Sequence, residues 1–207
     1  MKKIAVFASG GGTNLQALID AVDKGEIKNG IIEIVFSNKK DAFALERAKK
    51  HGIPVLYLDP KEFKNREAYD CELAAKMNSL KIDLVCLAGY MKILTKGFME
   101  NFKGKIMNIH PALLPSFGGE GMHGMHVHEA VIYHGVKISG CTVHFVDCGT
   151  DTGPIIVQKT VPVEEGDTPE MLQKRILTFE YLAYKEAVNL FCQDKLVLEG
   201  RKVKILK

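Results

Sequence analysis

Apolar residues recur along the first hundred positions in two alternating rhythms. Ile4 to Ala8 is a short apolar run that stops just before a glycine cluster, and it predicts a buried strand. Leu15, Leu18, Ile19 and Val22 then repeat at helical spacing. Ile31 to Phe36 is a second, β-branched run. Residues from about Ala42 to Lys50 predict a helix that Gly52 ends, with Pro54 two positions beyond. Pro54 to Leu58 predicts a third strand, Tyr69, Leu73, Met77 and Leu80 a helix, and Ile82 to Ala88 a fourth strand. Strands alternating with helices imply right-handed βαβ units. The expected fold class is α/β: an open, mostly parallel, doubly wound sheet with helices on both faces.

The rhythm changes after about residue 100. Ile106 to His110 predicts a strand that stops at Pro111. A glycine- and histidine-rich loop follows from Ser116 to Gly124, then a helix over Val127 to Tyr133. Ser139 to Asp147 and Ile155 to Val161 predict two strands around a loop. Pro169 to about Cys192 predicts a long helix with Leu172, Ile176, Phe179 and Ala183 on one face. Lys195 to Lys207 alternates around Glu199-Gly200 as a hairpin would. No repeat or flexible linker interrupts the chain, so one compact unit of residues 1–207 is expected, with two functional halves, 1–100 and 101–207.

Composition narrows the class. An apolar content of 46% is too high for a disordered chain, and 26% charged residues is ordinary for a globular one. The net charge of +3 is spread along the chain, which gives no electrostatic case for a nucleic-acid partner. No apolar run approaches the roughly 20 residues that cross a bilayer, so no membrane partner is expected. The five cysteines are odd in number and widely spaced, without a C-x-x-C, which argues against a disulfide framework or a structural zinc. Met1-Lys2-Lys3 leads at once into Ile4-Ala5-Val6-Phe7, too short a run for a signal-peptide core, and a cytoplasmic protein with reduced thiols is expected.

Ser9-Gly10-Gly11-Gly12-Thr13-Asn14 lies between a predicted strand and a predicted helix. Glycines let backbone N–H groups approach an anion at a helix start. No Gly-Lys-Ser/Thr follows, so this is not a P-loop. Leu15 stands where a dinucleotide fingerprint needs its third glycine, and Ser37-Asn38-Lys39 stand where the ribose-binding acid belongs. The loop suits a single phosphate, or else a tight turn without a ligand.

Alternation puts Ile106, Asn108 and His110 on one strand face. Two polar groups on a core-directed face mark either a cleft at the strand's carboxyl end or a hydrogen-bonded core pair. Asp151 lies in a loop with Gly149 and Gly153 two residues to either side, which permits unusual backbone angles, although from this stretch alone a plain Asp turn is the favoured reading.

Together these segments carry a resemblance. Asn108-Ile109-His110-Pro111-Ala112-Leu113-Leu114-Pro115 resembles the signature of the folate-dependent formyltransferases. Ser9 to Leu15 resembles the phosphate loop of the purine-synthesis members. Gly124 to His128, Val143 to Val146 and Asp151-Thr152-Gly153-Pro154 complete the pattern in order along essentially the whole chain. The resemblance implies a formyltransferase-like fold and formyl transfer from 10-formyltetrahydrofolate, as co-substrate, to the amine of glycinamide ribonucleotide, with no metal. By position, Asn108, His110 and Asp151 match the catalytic residues. Gly12, Thr13 and Asn14 match the phosphate loop, and Glu180 the residue that holds the substrate's sugar or phosphate end. Arg66, Met91, Lys92, Ile93 and Leu94 match the folate side, with Asn108 and the Asp147–Asp151 loop against the pterin. The first half then binds the ribonucleotide and the second half carries the catalytic and folate-binding groups, in a monomer or homodimer.

These residue types suit the reaction. An amine attacking a formyl carbon drives negative charge onto the carbonyl oxygen. The Asn108 carboxamide supplies an N–H, a protonated His110 supplies a charged donor, and Asp151 favours the imidazolium or takes the amine's proton. His126 and His128 match positions near the active centre and are given a supporting role. His123, His126 and His128 lack the thiolates or carboxylate of a zinc site. His144 reads as a bonded core histidine on its strand, and Cys148 as a bystander.

The alternatives within this chemistry are a formyltetrahydrofolate hydrolase and a methionyl-tRNA formyltransferase. The first usually adds an N-terminal domain and the second a C-terminal barrel, neither of which is expected here. Outside it stand a non-catalytic mononucleotide-binding module, which has no need of Asn108, His110 and Asp151 together, and a nicotinamide oxidoreductase.

Overall fold

The computed structural model describes residues 1–206 and divides into two compact units, Met1–Met107 and Asn108 onward. In the first, β1 (Lys2–Phe7), α1 (Thr13–Asp23), β2 (Gly30–Ser37), α2 (Phe43–Lys50), β3 (Val55–Tyr57), α3 (Arg66–Ser79), β4 (Leu84–Leu87) and α4 (Lys96–Asn101) follow in order, with a single 3-10 turn at Pro60–Glu62. β1 pairs in parallel with β2 on one side and β4 on the other, and β2 pairs in parallel with β3. Val6, Phe7, Val35, Phe36, Leu84 and Val85 are all fully buried. Consecutive buried residues, rather than alternate ones, mean that layers cover both faces of these strands. Each such side chain contributes about 1.5–3 kcal/mol of burial.

The helix termini follow their sequences. Asn65 accepts the Ala68 N–H at 2.8 Å to start α3. α4 escapes the apolar pattern because its six residues are too few to show a helical repeat, yet Phe98 within it is fully buried.

β5 (Lys105–His110) leads into the second unit, which continues with α5 (Met125–Tyr133), β6 (Ile138–Phe145), β7 (Ile155–Pro162), α6 (Pro169–Cys192) and the hairpin β8 (Leu196–Glu199) and β9 (Lys202–Ile205). The main sheet has seven strands in the order β3-β2-β1-β4-β5-β6-β7, and β7 runs antiparallel to β6. α6 starts with Pro169 behind a Thr168 cap that accepts the Met171 N–H at 3.3 Å. Just ahead of that cap, Arg175 grips the buried Asp167 carboxylate with two nitrogens, at 2.6 and 2.8 Å. Leu172, Ile176 and Ala183 form the fully buried stripe of α6, with Phe179 half-buried beside them. No described helix is long and apolar enough to cross a membrane.

Candidate active site

Two features of the first unit mark a candidate ligand-binding end of its own. The strand order reverses between β2-β1 and β4, and ligands in open α/β sheets bind outside the strand ends at such a reversal. The segments leaving β1 and β4 there are tied through Ser9. Its N–H donates to the Gly89 carbonyl at 3.0 Å. Its hydroxyl accepts from the Met91 N–H at 2.9 Å and donates to Asn38 Oδ1 at 2.6 Å.

Gly12 has φ +69°, a left-handed conformation, and its carbonyl accepts the Gln16 N–H at 2.9 Å to begin α1. A Cβ on Gly12 would stand 2.8 Å from Ala44 Cβ, so both the turn and the close approach of α2 require glycine. Thr13 is exposed and Asn14 buried at the first turn.

The expected folate segment forms a second cluster in this unit. Met91 and Ile93 hold large apolar side chains in solvent, 53% and 64% exposed, while Lys92 is exposed and Leu94 is buried. Arg66 donates to the Ile93 carbonyl, and the fully buried Asp70 accepts the Thr95 N–H at 2.8 Å, so the first turns of α3 hold this segment at two points.

In the second unit, β5 delivers Asn108 and His110 to one place, as two-residue alternation requires. The segment after β5 is pinned by the sheet beside it. Thr142 Oγ1 donates to the Ala112 carbonyl at 2.6 Å and accepts the Leu114 N–H at 3.0 Å. Gln158 Nε2 donates to the Leu114 carbonyl at 3.0 Å. The Leu114–Pro115 peptide is cis.

Asp151 comes from the β6–β7 loop. Its own φ is +57°, so the unusual backbone angle falls on the acid itself and not on the glycines around it. Gly153 lets that loop close: a Cβ there would sit 1.7 Å from the Phe145 carbonyl oxygen. Asp147 braces the same turn, its Oδ1 accepting the Gly149 N–H at 3.1 Å and the Thr152 hydroxyl at 2.5 Å.

The three residues meet around one carboxylate. Asp151 Oδ2 accepts the Gly119 N–H at 3.1 Å and lies 3.5 Å from His110 Nδ1. Asp151 Oδ1 accepts from Asn108 Nδ2 at 3.5 Å and lies 3.7 Å from His144 Nε2. His144 is therefore a fourth member, where the sequence indicates only a bonded core histidine. It is buried and bonded, its Nδ1 donating to the Phe145 carbonyl at 2.8 Å. Asn108 Nδ2 stands 3.3 Å from its Nε2. Alternation along β6 puts His144 on the face of Thr142, and the register shift beside it leaves the extra residue, Ile156, on β7.

Charge in this cluster is set by burial and neighbours. Burial pushes the Asp151 carboxyl upward, but the neighbouring His144 and His110 imidazoles and the Gly119 N–H outweigh it. The acid ends below its ordinary value and is ionised at neutral pH. Burial dominates at His110 and lowers its pKa, although Asp151 and the Phe117 carbonyl pull the other way. A neutral imidazole is therefore the resting form at pH 7, which differs from the protonated donor expected from sequence. His110 Nε2 lies 2.7 Å from the Phe117 carbonyl and so carries the hydrogen, leaving the Nδ1 lone pair turned toward Asp151. The gap between Nδ1 and Oδ2 is a ready seat for one proton.

His128 on α5 is buried nearby, and burial, helped by His110, takes it down to about 4. In an unfolded chain it titrates near 6.5. Between those values only the unfolded chain binds the proton, so stability falls as pH drops from 6.5 to 4. Replacing His128 by asparagine should reduce the urea-midpoint difference between pH 7 and pH 4.5, recovering about 2–3 kcal/mol of the acid loss. An unchanged difference would show that this ring is not held neutral. His126 is exposed, with Nδ1 3.3 Å from the Gly121 carbonyl, and His123 stacks near it at 5.0 Å between ring centres. Among the described residues, no group of three or more His, Cys, Asp or Glu side chains is placed to hold a metal ion.

Glu180 lies buried on α6 beside Cys141. Burial raises that thiol to about 12, and the Glu180 charge adds to the rise. A cavity of about 670 Å³ opens beside Asp151, lined by Leu114, Pro115, Gly118, Thr150, Ile155 and Arg201 among others.

The sequence pattern of the formyl transferase family matches residues 2–188. The chain belongs to that family. It is similar to glycinamide ribonucleotide transformylase 1 from Symbiobacterium toebii, with 46% identity and a TM-score of 0.93 over 100% of this chain and 95% of that one. It is 42% identical over 199 residues to the chloroplastic phosphoribosylglycinamide formyltransferase of Arabidopsis thaliana, covering 94% of this chain and 67% of the plant protein. It is 44% identical over 196 residues to the trifunctional purine biosynthetic protein adenosine-3 of Drosophila pseudoobscura pseudoobscura, and there it spans only 14% of the relative's length. The family pattern takes in both the Gly12 turn and the Asn108–His110–Asp151 cluster.

Proposed function

We propose that this protein transfers the formyl group of 10-formyltetrahydrofolate to the amine of glycinamide ribonucleotide, a step of purine synthesis carried out in the cytoplasm. The observation that carries this reading is the half-buried carboxylate of Asp151 with Asn108, His110 and His144 around it. A binding module has no use for such a cluster.

The amine nitrogen forms a bond to the formyl carbon, and the carbonyl π pair moves onto oxygen. Asn108 Nδ2 donates to that oxygen, giving up one of its two long contacts, at 3.3 and 3.5 Å. Contacts of this length are long enough to tighten or yield when the substrate arrives. The amine nitrogen, now positive, loses a proton to the gap between His110 Nδ1 and Asp151 Oδ2. The resulting imidazolium is held by the carboxylate. When the oxygen's pair reforms the carbonyl, the bond to the folate nitrogen breaks and that nitrogen receives the proton. Proton and charge balance without a serine or cysteine nucleophile.

Gly12, Thr13 and Asn14 are assigned to the substrate phosphate, and Glu180 to the sugar or phosphate end. Arg66 and Met91–Leu94, with Asn108 and Asp147, are assigned to the folate. The exposed Met91 and Ile93 side chains suit a flat aromatic ring, which supports that assignment.

Incubation with 10-formyltetrahydrofolate, with and without glycinamide ribonucleotide, tests the reading by folate absorbance. Turnover that requires the amine is expected. Turnover with water alone would make the protein a hydrolase, and none at all would make it a binding module.

A further inference from the structure

The loop assigned to the substrate phosphate contains no lysine or arginine between Ser9 and Asn14. It is gripped from α2. The Gly10 carbonyl accepts the Ala44 N–H at 3.0 Å, and the Gly11 carbonyl accepts Arg47 Nε at 2.7 Å. In a trans peptide the carbonyl and the following N–H point to opposite sides. Anchoring the two carbonyls to α2 therefore turns the N–H groups of Gly11 and Gly12 away from α2, as successive donors that form an anion-binding concavity.

The two anchors differ in kind. The first is backbone, fixed by the start of the helix. The second is a side chain, and its placement is over-determined. Arg47 Nη1 donates to Gln16 Oε1 at 3.2 Å, and the guanidinium lies 4.9 Å from the centre of the Phe43 ring. Gln16 is itself tied by its Nε2 to Asp20 Oδ1 at 2.8 Å. An arginine whose Nε is spent on a loop carbonyl, while Nη1 and the ring face are spent on holding it still, is built to orient that loop.

We infer that Arg47 is a positioning residue for the ribonucleotide: by binding the Gly11 carbonyl it aims the Gly11–Gly12 peptide so that its N–H meets the substrate phosphate. The inference rests on the proposed transfer reaction. It concerns binding of one substrate group and not the chemical step. Removing Arg47 therefore raises KM for the phosphorylated amine and leaves kcat nearly unchanged, and it is silent toward an amine without the phosphate.

Arginine Nε and glutamine Nε2 are both attached to Cδ, so Arg47→Gln keeps a donor at the position that meets Gly11 and removes the charge. Arg47→Ala removes both. Steady-state kinetics on the two variants, with glycinamide ribonucleotide and with its dephosphorylated ribonucleoside, form the experiment. Arg47→Ala should raise KM for the ribonucleotide about tenfold, which is the scale of one hydrogen bond. Arg47→Gln should recover most of that loss, and neither should move KM for the ribonucleoside. Thermal melts of both proteins control for folding, and Arg47→Gln with unaltered melting keeps the test valid if the alanine variant is unstable. An unchanged KM in Arg47→Ala, an equal rise for both amines, or a glutamine variant as impaired as the alanine one would each overturn the inference. Lack of turnover by the unmutated enzyme would instead overturn the transfer reading itself.

Discussion

Asp151→Asn should lower kcat by about 10³-fold, with little change in either KM and a protein that still folds. Asparagine is the informative replacement because of the backbone. Asp151 has φ +57°, and asparagine tolerates the left-handed region where alanine is strained. The substitution removes one acceptor from a group that receives the Gly119 N–H and Asn108 Nδ2 and faces His110 Nδ1. The seat for the transferred proton then disappears.

The pH profile adds a second readout of the same variant. The proton must go to a base, so activity falls on the acid side as that base becomes protonated. Asp151 is one of the groups that raise the His110 pKa against the larger effect of burial. Without the carboxylate, the residual activity should lose its acid limb at a lower pH than in the unmutated enzyme. Near-normal kcat, or a limb that stays in place, would remove Asp151 from the reaction.

The largest effect on the fold itself is expected at Gly12. Gly12→Ala forces a Cβ to within 2.8 Å of Ala44 Cβ and 2.9 Å of Ala44 Cα, at φ +69°. The left-handed conformation costs an alanine about 1–2 kcal/mol and overpacking about 1–3 more. A stability loss of about 2–5 kcal/mol by chemical denaturation should result, with a raised KM for the ribonucleotide in whatever protein remains folded. Gly10→Ala is the control two residues away: a Cβ there meets nothing within 4 Å, and Gly10 is exposed. It should change stability by less than about 0.5 kcal/mol. Equal effects at the two positions would mean that α2 does not hold the loop as described.

How far the sequence reveals this molecule depends on the range of each signal. The pairing of Asn108 with His110 is legible because the strand period puts residues two apart on one face, and α6 is legible because its apolar stripe from Leu172 to Ala183 lasts about three turns. The role of His144 is not legible. That role depends on Asp151 arriving from the β6–β7 loop, and nothing local in Val143-His144-Phe145 announces that neighbour. The glycines flanking Asp151 do signal an unusual turn, but not that the acid itself adopts the left-handed angle. The charge state of His110 depends on how much of the second unit covers it, a sum over many residues, whereas the neighbouring carboxylate that argues for protonation is visible at once.

The Thr142 and Gln158 contacts set how this enzyme can be remodelled. They fasten Ala112 and Leu114 by hydrogen bonds to the two neighbouring strands, so that stretch is a fixed floor rather than a moving part. Directed evolution toward other amines should find tolerated changes at the exposed Ser116, Glu120 and His123, while substitutions at Thr142 would loosen the Ala112–Leu114 stretch that follows His110 whatever new amine was sought.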